Sequence, residues 1–443
     1  MATARSLFSM RSVMKTLEAR GLISQSTRAE NSPVPPGSAV YCGFDPTADS
    51  LHVGNLIAIV TLLHFRAAGY HPIAVVGGAT GLIGDPSGRT KERDKMAQET
   101  VAKNLCGISE NLERISRNHE LLVEEKKPLP PLKLLNNAHW YEGVNIIHFL
   151  SDILRPLRLN TFLKKDSVSQ RNEGEEGMCL TEFLYPALQA YDFLQLHKQH
   201  NCWMQVGGSD QWGNISIGYE YVRKLTGSEV QGLTTPLLLT STGEKIGKSA
   251  GNAVWLSPHK TTSYSLYQYF VKMADSDTER LLKYFTFLPL EEIESIMQAH
   301  RSQPELRTAQ KVLAENVTKL VHGMSGLETA LTATAALFGD PEALASLPES
   351  SFEDVFVGVP SGELSHNLCA DGKGLSLAEV AVKSGAVPSK KEAQKMINWG
   401  SFRVNNVLVQ SPLEKLDPAK HILKGRFTVL RVGKSRYHLV KWK

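Results

Sequence analysis

Residues 39–68 read AVYCGFDPTADSLHVGNLIAIVTLLHFRAA and combine the patterns of a strand, a turn and a helix. The apolar run over 39–44 is typical of a buried strand, and Asp45-Pro46-Thr47 has the composition of a turn. From residue 51 to residue 68, apolar side chains recur at the three- and four-residue spacing of a helix. The stretch therefore predicts a strand that leads through a short loop into a helix.

The chain continues with the same alternation of strands and helices. Residues 72–76 (PIAVV) form a second apolar run, which opens into a glycine-rich segment over 77–88. A β-loop-α-β order favours a parallel sheet, because the crossover helix returns the chain to the same end of the sheet. We therefore predict an α/β fold over 13–245, with ligands at the carboxyl ends of its strands.

Composition predicts a soluble protein of two or three domains. The 443 residues are 42% apolar and 21% charged, which is ordinary for a globular chain. The longest apolar stretch, 56–65, is too short to cross a bilayer, so no membrane-spanning segment is expected. The five cysteines are scattered and lack C-x-x-C spacing, which argues against a disulfide framework or a zinc site. We expect no metal bound by the protein itself.

The charge is distributed unevenly along the chain. Residues 373–443 carry 15 Lys and Arg against 4 Asp and Glu, whereas the rest carries 34 against 41. A basic module on a mildly acidic body is typical of an enzyme with a nucleic-acid-binding extension. The alternative is a basic surface that interacts only with solvent.

The remaining segments complete the predicted domain organisation. Residues 1–12 contain two arginines, three serines and no acidic residue, which suits a mitochondrial targeting segment, although a frayed terminus has the same composition. Residues 246–345 contain the basic loop and become helical in pattern, and the Gly-, Pro- and Ser-rich segment 346–372 is interpreted as a linker. The basic module 373–443 has an α-then-β pattern.

His52 and a distant basic loop form the first candidate site. His52 lies in the first turn of the predicted helix, where the backbone amides and the helix dipole favour anions. Asn55 shares that helix face, and Gly54 allows a nucleotide to approach closely. Lys245 and Lys248 are three residues apart in a glycine-containing loop, which suits a mobile clamp on a phosphate group.

The basic loop, GEKIGKS over 243–249, is similar to a phosphate-binding P-loop only superficially. A P-loop has four residues between its glycines, but this loop has three. In addition, AGNAVWL over 250–256 predicts an extended segment rather than the helix that a P-loop requires. We therefore interpret the two lysines as a flap that holds a departing pyrophosphate.

A second candidate site lies on the predicted helix around residue 190. Tyr185, Gln189 and Asp192 are spaced i, i+4 and i+7, so their side chains face one side of the helix. Among apolar and aromatic neighbours an isolated carboxylate is costly to bury, but a hydroxyl group of a ligand can satisfy it. The alternative is a polar helix edge at the surface.

A third patch, QVGGSDQWGN over 205–214, predicts a strand that runs into a double glycine and then an acid. Gly207 and Gly208 leave room for a ribose against the backbone, and Asp210 can accept hydrogen bonds from ribose hydroxyls. A plain glycine turn after a strand is the alternative.

Together these motifs resemble those of the tyrosyl-tRNA synthetases, a family of class I aminoacyl-tRNA synthetases. LHVGN over 51–55 is similar to the H-x-G-H signature, with asparagine in place of the second histidine, and KIGKS over 245–249 is similar to K-x-x-K-S. The family also carries the pattern Y-x-x-x-Q-x-x-D that is found at 185–192. GGATGLIGDPSG over 77–88 matches the tyrosine branch more closely than the tryptophan branch.

The resemblance implies a Rossmann-like catalytic domain with a parallel sheet, an α-helical domain and a small α+β RNA-binding domain of the S-four type at 373–443. It implies that the chain joins L-tyrosine to tRNA(Tyr) with ATP and Mg²⁺. The tyrosine carboxylate would attack the α-phosphate, and the resulting adenylate would acylate the terminal ribose of the tRNA. It further implies a homodimer in the mitochondrial matrix or, alternatively, in a bacterial cytoplasm. The alternative functions are a tryptophanyl-tRNA synthetase and a non-catalytic RNA-binding or splicing protein on a synthetase body.

The residue roles that the resemblance implies fall into three groups. Stabilisation of the phosphates is assigned to Thr47, His52, Lys245 and Lys248, and the rest of the ATP site to Asp45, Gly54, Asn55, Gly207, Gly208, Asp210 and Ser249. In the tyrosine pocket, Tyr41 and Asp192 are assigned to the phenol, Asp85, Tyr185 and Gln189 to the ammonium group, and Gln205 and Gln211 to the remaining contacts. Arg89 and Arg93 are assigned to a phosphate or to the tRNA acceptor end.

Overall fold

The computed structural model describes residues 10–27, 34–88, 94–123, 128–165, 168–169, 177–249, 252–338, 341–349, 352, 355–356, 359–370, 374–433 and 436–443. The chain divides into two compact units, the first with residues 1–261 and 269–323 and the second with 262–268 and 324–443. Of the predicted targeting segment, only residues 10–12 are described, and they open the first helix. Within the described ranges, no helix is both long and apolar enough to cross a membrane.

A six-stranded sheet forms the centre of the first unit. Its strands lie in the order β1-β6-β5-β2-β3-β4. β1 is antiparallel to β6, whereas the other five strands are mutually parallel. The strands are β1 (Gln25–Ser26), β2 (Ala39–Phe44), β3 (His71–Val76), β4 (Lys133–Asn136), β5 (Cys202–Gly208) and β6 (Gln231–Thr235). The predicted α/β fold with a parallel sheet is confirmed.

Helices connect these strands and continue after the sheet. They are α1 (Met10–Arg20), α2 (Val53–Ala67), α3 (Gln98–His119), α4 (Ile146–His148), α5 (Leu159–Leu163), α6 (Leu180–His200), α7 (Trp212–Thr226), α8 (Ser263–Val271), α9 (Asp275–Phe285), α10 (Leu290–Ser302) and α11 (Thr308–Phe338). A π-helical segment spans Phe149–Leu154, and 3₁₀ helices span Thr80–Leu82, Asn137–Trp140, Ser209–Gln211 and Pro304–Leu306. α11 is interrupted at Gly323, where φ is 80°.

The strand order places a crevice beside β2. After β2 the chain adds β3 and β4 on one side, and it then returns to add β5 and β6 on the other side. Ligands of open α/β sheets bind where the order reverses in this way, at the carboxyl ends of the strands. Tyr41 of β2 and Gln205 of β5 are direct neighbours in the parallel ladder at this position.

Helix α3 supports the loop that joins β2 to α2. Asn104 donates a hydrogen bond to the Pro46 carbonyl at 2.9 Å, and the Asn111 side chain bonds to Ser50 at 2.9 Å. Gly107, on the same helix face, packs so closely that a methyl group there would lie 2.1 Å from the Asp49 carbonyl oxygen. The loop that carries the predicted phosphate residues is therefore held against a long helix.

The second unit contains a five-stranded sheet in the order β11-β10-β12-β13-β9. Its strands are β9 (Ser361–Leu364), β10 (Phe402–Val404), β11 (Val407–Leu408), β12 (Phe427–Val432) and β13 (Arg436–Trp442). Its further helices are α12 (Pro341–Ser346), α13 (Asn367–Ala370), α14 (Leu377–Lys383), α15 (Lys390–Asn398) and α16 (Pro418–His421). The remaining short strands, β7 (Lys248–Ser249) and β8 (Asn252–Ala253), belong to the first unit.

The interpretation of residues 346–372 as a linker is wrong for the residues that the structure describes there. β9 pairs in parallel with β13 and so forms an edge of the sheet. Leu347, Phe352 and Phe356 are buried, and the Phe352 ring stacks on Phe427 with 5.0 Å between ring centroids. The Gly-, Pro- and Ser-rich composition concealed a few apolar side chains that are sufficient to anchor the segment in a core. The predicted domain boundaries, after residues 12, 245, 345 and 372, remain predictions.

Gly107→Ala is expected to destabilise the first unit by about 2 kcal/mol, because the added methyl group meets a backbone oxygen that cannot move aside alone. This loss should appear although alanine favours a helix by about 1 kcal/mol over glycine. Urea unfolding measures the change. Gly213→Ala in α7 is the matched control, because its methyl group would only touch the flexible Lys165 side chain at 3.4 Å. Equal stabilities of the two variants would contradict the close packing.

Candidate active site

A cavity of about 290 Å³ opens at the carboxyl ends of β2, β5 and their neighbours. It brings together most of the residues that the sequence analysis assigned to the two ligand sites. Those that line it are Tyr41, Asp45, Thr47, Gly54, Asn55, Asp85, Tyr185, Gln189, Asp192, Gln205, Gly207, Gly208, Asp210 and Gln211. The three patches of sequence therefore form one continuous site.

Asp192 is a buried carboxylate that is held by three donors. Trp140 Nε1 and the Tyr141 hydroxyl donate to Oδ1 at 2.8 and 2.9 Å, and Asn137 Nδ2 donates to Oδ2 at 3.0 Å. Burial raises the pKa of the Asp192 carboxyl to about 7, although the three hydrogen bonds act to lower it. A carboxylate offers about four acceptor positions, so one remains for a ligand donor.

Two further buried polar atoms belong to residues that line the cavity, and they have no hydrogen-bond partner among the residues that the structure describes. They are the Tyr41 hydroxyl and Oε1 of Gln205. Burial, together with the nearby Asp192 charge, raises the pKa of the Tyr41 phenol well above its usual value, so the group is a neutral hydroxyl. Buried polar atoms without partners are costly. The Tyr41 hydroxyl lies close enough to Asp192 to be affected by its charge, whereas Oε1 of Gln205 lies near Gly218, where a methyl group would be 3.4 Å from it.

A network of amides and carboxylates forms the adjoining wall of the cavity. Asp85 accepts hydrogen bonds from Gln211 Nε2 at 2.6 Å and from the Ser87 amide at 2.9 Å. Gln189 Nε2 donates to Gln211 Oε1 at 3.3 Å, which connects this network to α6. These contacts fix the orientation of the polar side chains before a ligand is present.

Asp45, which was predicted to belong to the ATP site, contacts the same wall of the cavity. Its Oδ2 accepts from the Tyr185 hydroxyl at 2.9 Å, and its Oδ1 accepts from Thr80 Oγ1 at 2.8 Å. Gly77 allows this arrangement, since a methyl group there would lie 2.1 Å from Oδ1 of Asp45. Asp45 thus connects the phosphate loop to the helix that carries Asp192.

His52 is the N-cap of α2 and does not lie in its first turn. Its backbone is extended, and its amide donates to Asn55 Oδ1 at 3.1 Å. The prediction missed the boundary because the capping contact depends on the Asn55 side chain rather than on helical periodicity. The His52 ring lies over Gly54, where a methyl group would be 2.7 Å from the imidazole. Gly54 thus makes room for the histidine, in addition to the predicted approach of a nucleotide.

The basic loop folds back onto the start of α2. Gly247, with φ of 99°, packs against the amide nitrogen of Gly54, and a methyl group at Gly247 would lie 3.0 Å from that nitrogen. The Val53 amide donates to the Val254 carbonyl at 2.9 Å, which holds the segment after the loop to the same helix end. The Gly247 amide is itself held by the Tyr269 hydroxyl at 2.8 Å. The predicted flap and the predicted phosphate helix are therefore neighbours.

The structure describes only some of the basic residues that were predicted to contact phosphate. Lys245 is exposed at the loop. The backbone of Lys248 and Ser249 forms β7, which pairs with β8. β8 lies within the segment 250–256, so the predicted extended conformation is confirmed there for Asn252 and Ala253. Arg89 and Arg93, and the side chains of Lys248 and Ser249, lie outside the described parts.

Sequence analysis missed the three donors to Asp192 and the residues that support the phosphate loop. Asn137, Trp140 and Tyr141 lie in a short 3₁₀ helix and the turn after it, where no periodicity indicates which side chains face the core. The polar and aromatic residues that directly follow the short, partly exposed strand β4 were the available signal. Among the described residues, no group of three or more His, Cys, Asp or Glu side chains is arranged to hold a metal ion.

The raised pKa of Asp192 predicts a specific pH dependence of stability. The unfolded carboxyl ionises near pH 3.8 but the folded one near pH 7, so the folded chain binds more protons between these values. Relative to Asp192→Asn, the wild-type free energy of unfolding should fall by up to about 4 kcal/mol as pH rises from 4 to 7 and stay level above it. Urea unfolding across this range measures the difference. Asp94→Asn removes an exposed carboxyl as the control, and parallel profiles for wild type and Asp192→Asn would contradict the assignment.

Comparisons with known proteins agree with this geometry. Residues 36–339 match the family described as tRNA synthetases class I (W and Y), and residues 351–440 match the tyrosine–tRNA ligase SYY-like C-terminal domain. The mitochondrial tyrosine–tRNA ligase of Drosophila melanogaster is 47% identical over 91% of this chain and 87% of its own. The human mitochondrial enzyme is 44% identical over 91% and 84%, and the Geobacillus kaustophilus tyrosine–tRNA ligase is 43% identical over 97% and 99%.

Solved structures give the same result. A C-terminally truncated mitochondrial tyrosyl-tRNA synthetase from Aspergillus nidulans superposes with a TM-score of 0.68 and 32% identity, over 74% of this chain and 94% of that one. The corresponding Coccidioides posadasii protein has a TM-score of 0.64 and 33% identity, over 72% and 90%. With the family match covering more than half of the residues, the chain belongs to the class I tRNA synthetases of the tryptophan and tyrosine branch.

Proposed function

We propose that this chain is a tyrosine–tRNA ligase. The carboxylate oxygen of L-tyrosine attacks the α-phosphorus of Mg·ATP, in which the metal is part of the nucleotide substrate, and the bond to the β-phosphate oxygen breaks. Tyrosyl-adenylate and pyrophosphate are formed. A hydroxyl of the terminal ribose of tRNA(Tyr) then attacks the tyrosyl carbonyl, and AMP leaves. The tyrosine–tRNA ligases among its relatives and the cavity at the ends of β2 and β5 support the proposal.

The observation that carries the proposal is the pair formed by Asp192 and Tyr41 in the buried wall of the cavity. The tyrosine phenol donates to the remaining acceptor position of Asp192 and accepts from the Tyr41 hydroxyl. Both protein groups are then satisfied, and both are buried, with Tyr41 exposed by 1% and Asp192 by 5%. Phenylalanine would fill the same space but leave these groups without partners, and an unpaired buried polar group costs about 1–3 kcal/mol. The pair therefore favours tyrosine over the amino acid that most resembles it.

The amino and carboxyl groups of tyrosine contact the polar wall. The ammonium group lies near Tyr185, Gln189 and Asp85, whose oxygens have acceptor positions beyond the bonds that they already make. Gln205 lines the same cavity, and Gln211 lies near the carboxylate. Since the carboxylate is already ionised, the first step needs no side-chain base.

Catalysis then depends on placing positive charge and hydrogen-bond donors around the phosphates. Thr47, His52 and Asn55 supply static donors at the start of α2. Lys245 and Lys248, on the flap that contacts Gly54, supply mobile positive charge to the pyrophosphate. Gly54, Gly207, Gly208, Asp210 and Ser249 complete the ATP site, and Arg89 and Arg93 contact a phosphate or the tRNA acceptor end. Asp45 acts on this site by holding Tyr185 and Thr80 in place.

The chain acts on tRNA in the mitochondrial matrix, with a bacterial cytoplasm as the alternative. Mitochondrial relatives at 44–47% identity and a bacterial relative at 43% support these two locations in that order. The basic residues of 373–443 form the RNA-binding part of the S-four type, and the charge difference between this segment and the rest supports the assignment.

Activity assays test the proposed reaction directly. The wild-type chain should catalyse ATP–pyrophosphate exchange with tyrosine and not with tryptophan or phenylalanine. Exchange that depends on tryptophan would select the alternative synthetase. A chain that binds RNA but shows no exchange with any amino acid would select the non-catalytic alternative.

Tyr41→Phe tests the phenol contact without removing any described hydrogen bond of the folded chain. Because the Tyr41 hydroxyl is buried without a described partner, the substitution should leave stability unchanged or raise it. The KM for tyrosine should rise about 10-fold while the KM for ATP stays constant, and the preference over phenylalanine should fall. Steady-state exchange kinetics measure both. Tyr221→Phe, which loses a buried bond to the Ile153 carbonyl, is the control and should cost stability but not alter KM. An unchanged tyrosine KM in Tyr41→Phe would reject the pocket.

The homodimer is part of the proposal, and an apolar segment of the first unit supports it. Five large apolar side chains within residues 146–163 are exposed by 44–69%, namely Ile146, Ile147, Leu150, Leu159 and Leu163. Such a concentration of exposed apolar surface is typical of a protein interface. The neighbouring Phe149, Leu154 and Leu157 pack on the hydrophobic core of the unit and so hold the segment against it.

Ile147→Asp should convert the dimer into a monomer, because a charge cannot be buried there without a partner. We expect the dissociation constant to rise by at least about 100-fold in sedimentation velocity. Leu121→Asp alters an apolar side chain of similar exposure elsewhere in the first unit and should leave the dimer intact. An unchanged sedimentation profile for Ile147→Asp would place the interface elsewhere.

A further inference from the structure

Trp399, directly after helix α15, is exposed by 65% in the second unit. A tryptophan side chain is usually well buried, because its indole carries a large apolar surface. The residues on either side, Asn398 and Gly400, are exposed as well. The residues adjacent to Trp399 in the chain therefore add no apolar side chain to its surface.

Helix α15, which precedes Trp399, packs on the core of the unit through one face and carries lysines on its exposed face. Ser389 caps α15 through the Glu392 amide at 3.2 Å, and Ala393 and Ile397 bury its inner face. Lys390 is tied to Glu379 at 2.8 Å. The exposed lysines at positions 391 and 395 precede Trp399 at intervals of four residues, so all three lie on one side of the helix and its end.

Lys395 also contacts the indole directly. Its Nζ lies 4.5 Å from the ring centroid, within the range of a cation–π interaction. The ammonium group covers only part of the ring, since Trp399 as a whole is exposed by 65%. The result is a flat aromatic surface on a rigid helix end, with two positive charges along the same side.

We propose that Trp399, Lys391 and Lys395 form a platform on which an unpaired nucleotide of the bound RNA stacks. Every base presents a π-face, and stacking on an aromatic side chain is worth about 1–3 kcal/mol per base. The two lysines neutralise the phosphates beside that nucleotide. The inference deepens the proposed function by naming how the second unit recognises its RNA, and it depends on that unit binding RNA.

The chemistry around the indole favours RNA over a protein partner. In a two-fold pairing of this surface, a second copy of the chain would bring an equally basic surface, since residues 373–443 carry 15 basic against 4 acidic residues. An apolar protein partner requires a ring of further apolar contacts, whereas lysine, asparagine and glycine surround Trp399. A nucleotide matches both the exposed indole and the positive charge.

Binding of two RNA probes to the full-length chain tests the platform. One probe is a tRNA(Tyr) transcript, which contains unpaired nucleotides, and the other is a blunt RNA duplex, which has none. Trp399→Ala should weaken binding of the transcript about 10-fold and leave the duplex unaffected, while Trp399→Tyr should recover most of the loss. Lys391→Ala should weaken binding of both probes and lower the salt dependence by about one phosphate contact. Leu413→Ala, which alters an apolar side chain exposed by 80% in the same unit, should change neither.

The outcomes separate this inference from the proposed function. Equal weakening of both probes by Trp399→Ala, no weakening, or absence of RNA binding by the wild-type chain would each overturn the platform. A changed sedimentation profile of Trp399→Ala would overturn it in favour of self-association. Tyrosine-dependent pyrophosphate exchange, measured on the same preparations, should be identical in wild type and Trp399→Ala. If wild-type exchange is absent, the ligase proposal fails while the comparison of the two probes still decides the platform.

Discussion

The parallel pairing of β2 with β5 is the constraint on which the site depends. These strands are distant in sequence, yet Tyr41 lies beside Gln205 and Cys42 beside Val206 in one hydrogen-bonded ladder. Because parallel strands end at the same edge, the loops after them emerge together, and Asp45 and Asp210 line one cavity. A slip of β2 against β5 by one residue would place Tyr41 and Gln205 on opposite faces of the sheet. The binding site is thus a consequence of strand register.

The cavity is lined by residues with buried polar groups for which the fold provides too few hydrogen-bond partners. Asp192 has a pKa raised to about 7 in spite of three donors, and the Tyr41 hydroxyl and Gln205 Oε1 have no partner in the described chain. These groups cost stability in the empty protein. A ligand that supplies the missing partners recovers this free energy on binding, and a ligand without them does not. The burial that destabilises the fold therefore increases selectivity.

Sequence reasoning succeeded where a local period determines the structure and failed where a distant contact does. The i, i+4, i+7 spacing correctly brought Tyr185, Gln189 and Asp192 to one cavity, since a helix imposes that geometry on any side chains. No local pattern indicates that Trp140 donates to a carboxylate 52 positions away. Nor does one indicate that position 107 must be glycine because a larger side chain would clash with the Asp49 carbonyl. The supposed linker failed for the same reason, because Phe352 is held by its stacking on Phe427 in a core built from distant residues.

The contact between the basic loop and α2 explains why the proposed phosphate binding uses side-chain donors as well as the backbone amides at the start of the helix. A free helix start offers its first amides to an anion. Here the Val53 amide is already bonded to the Val254 carbonyl, and Gly247 lies against the Gly54 nitrogen. The segment after the flap thus takes up part of the backbone donor capacity. In the proposed reaction, donors from Thr47, His52 and Asn55 and the lysines of the flap replace those amides, so we expect the helix start and the flap to act together.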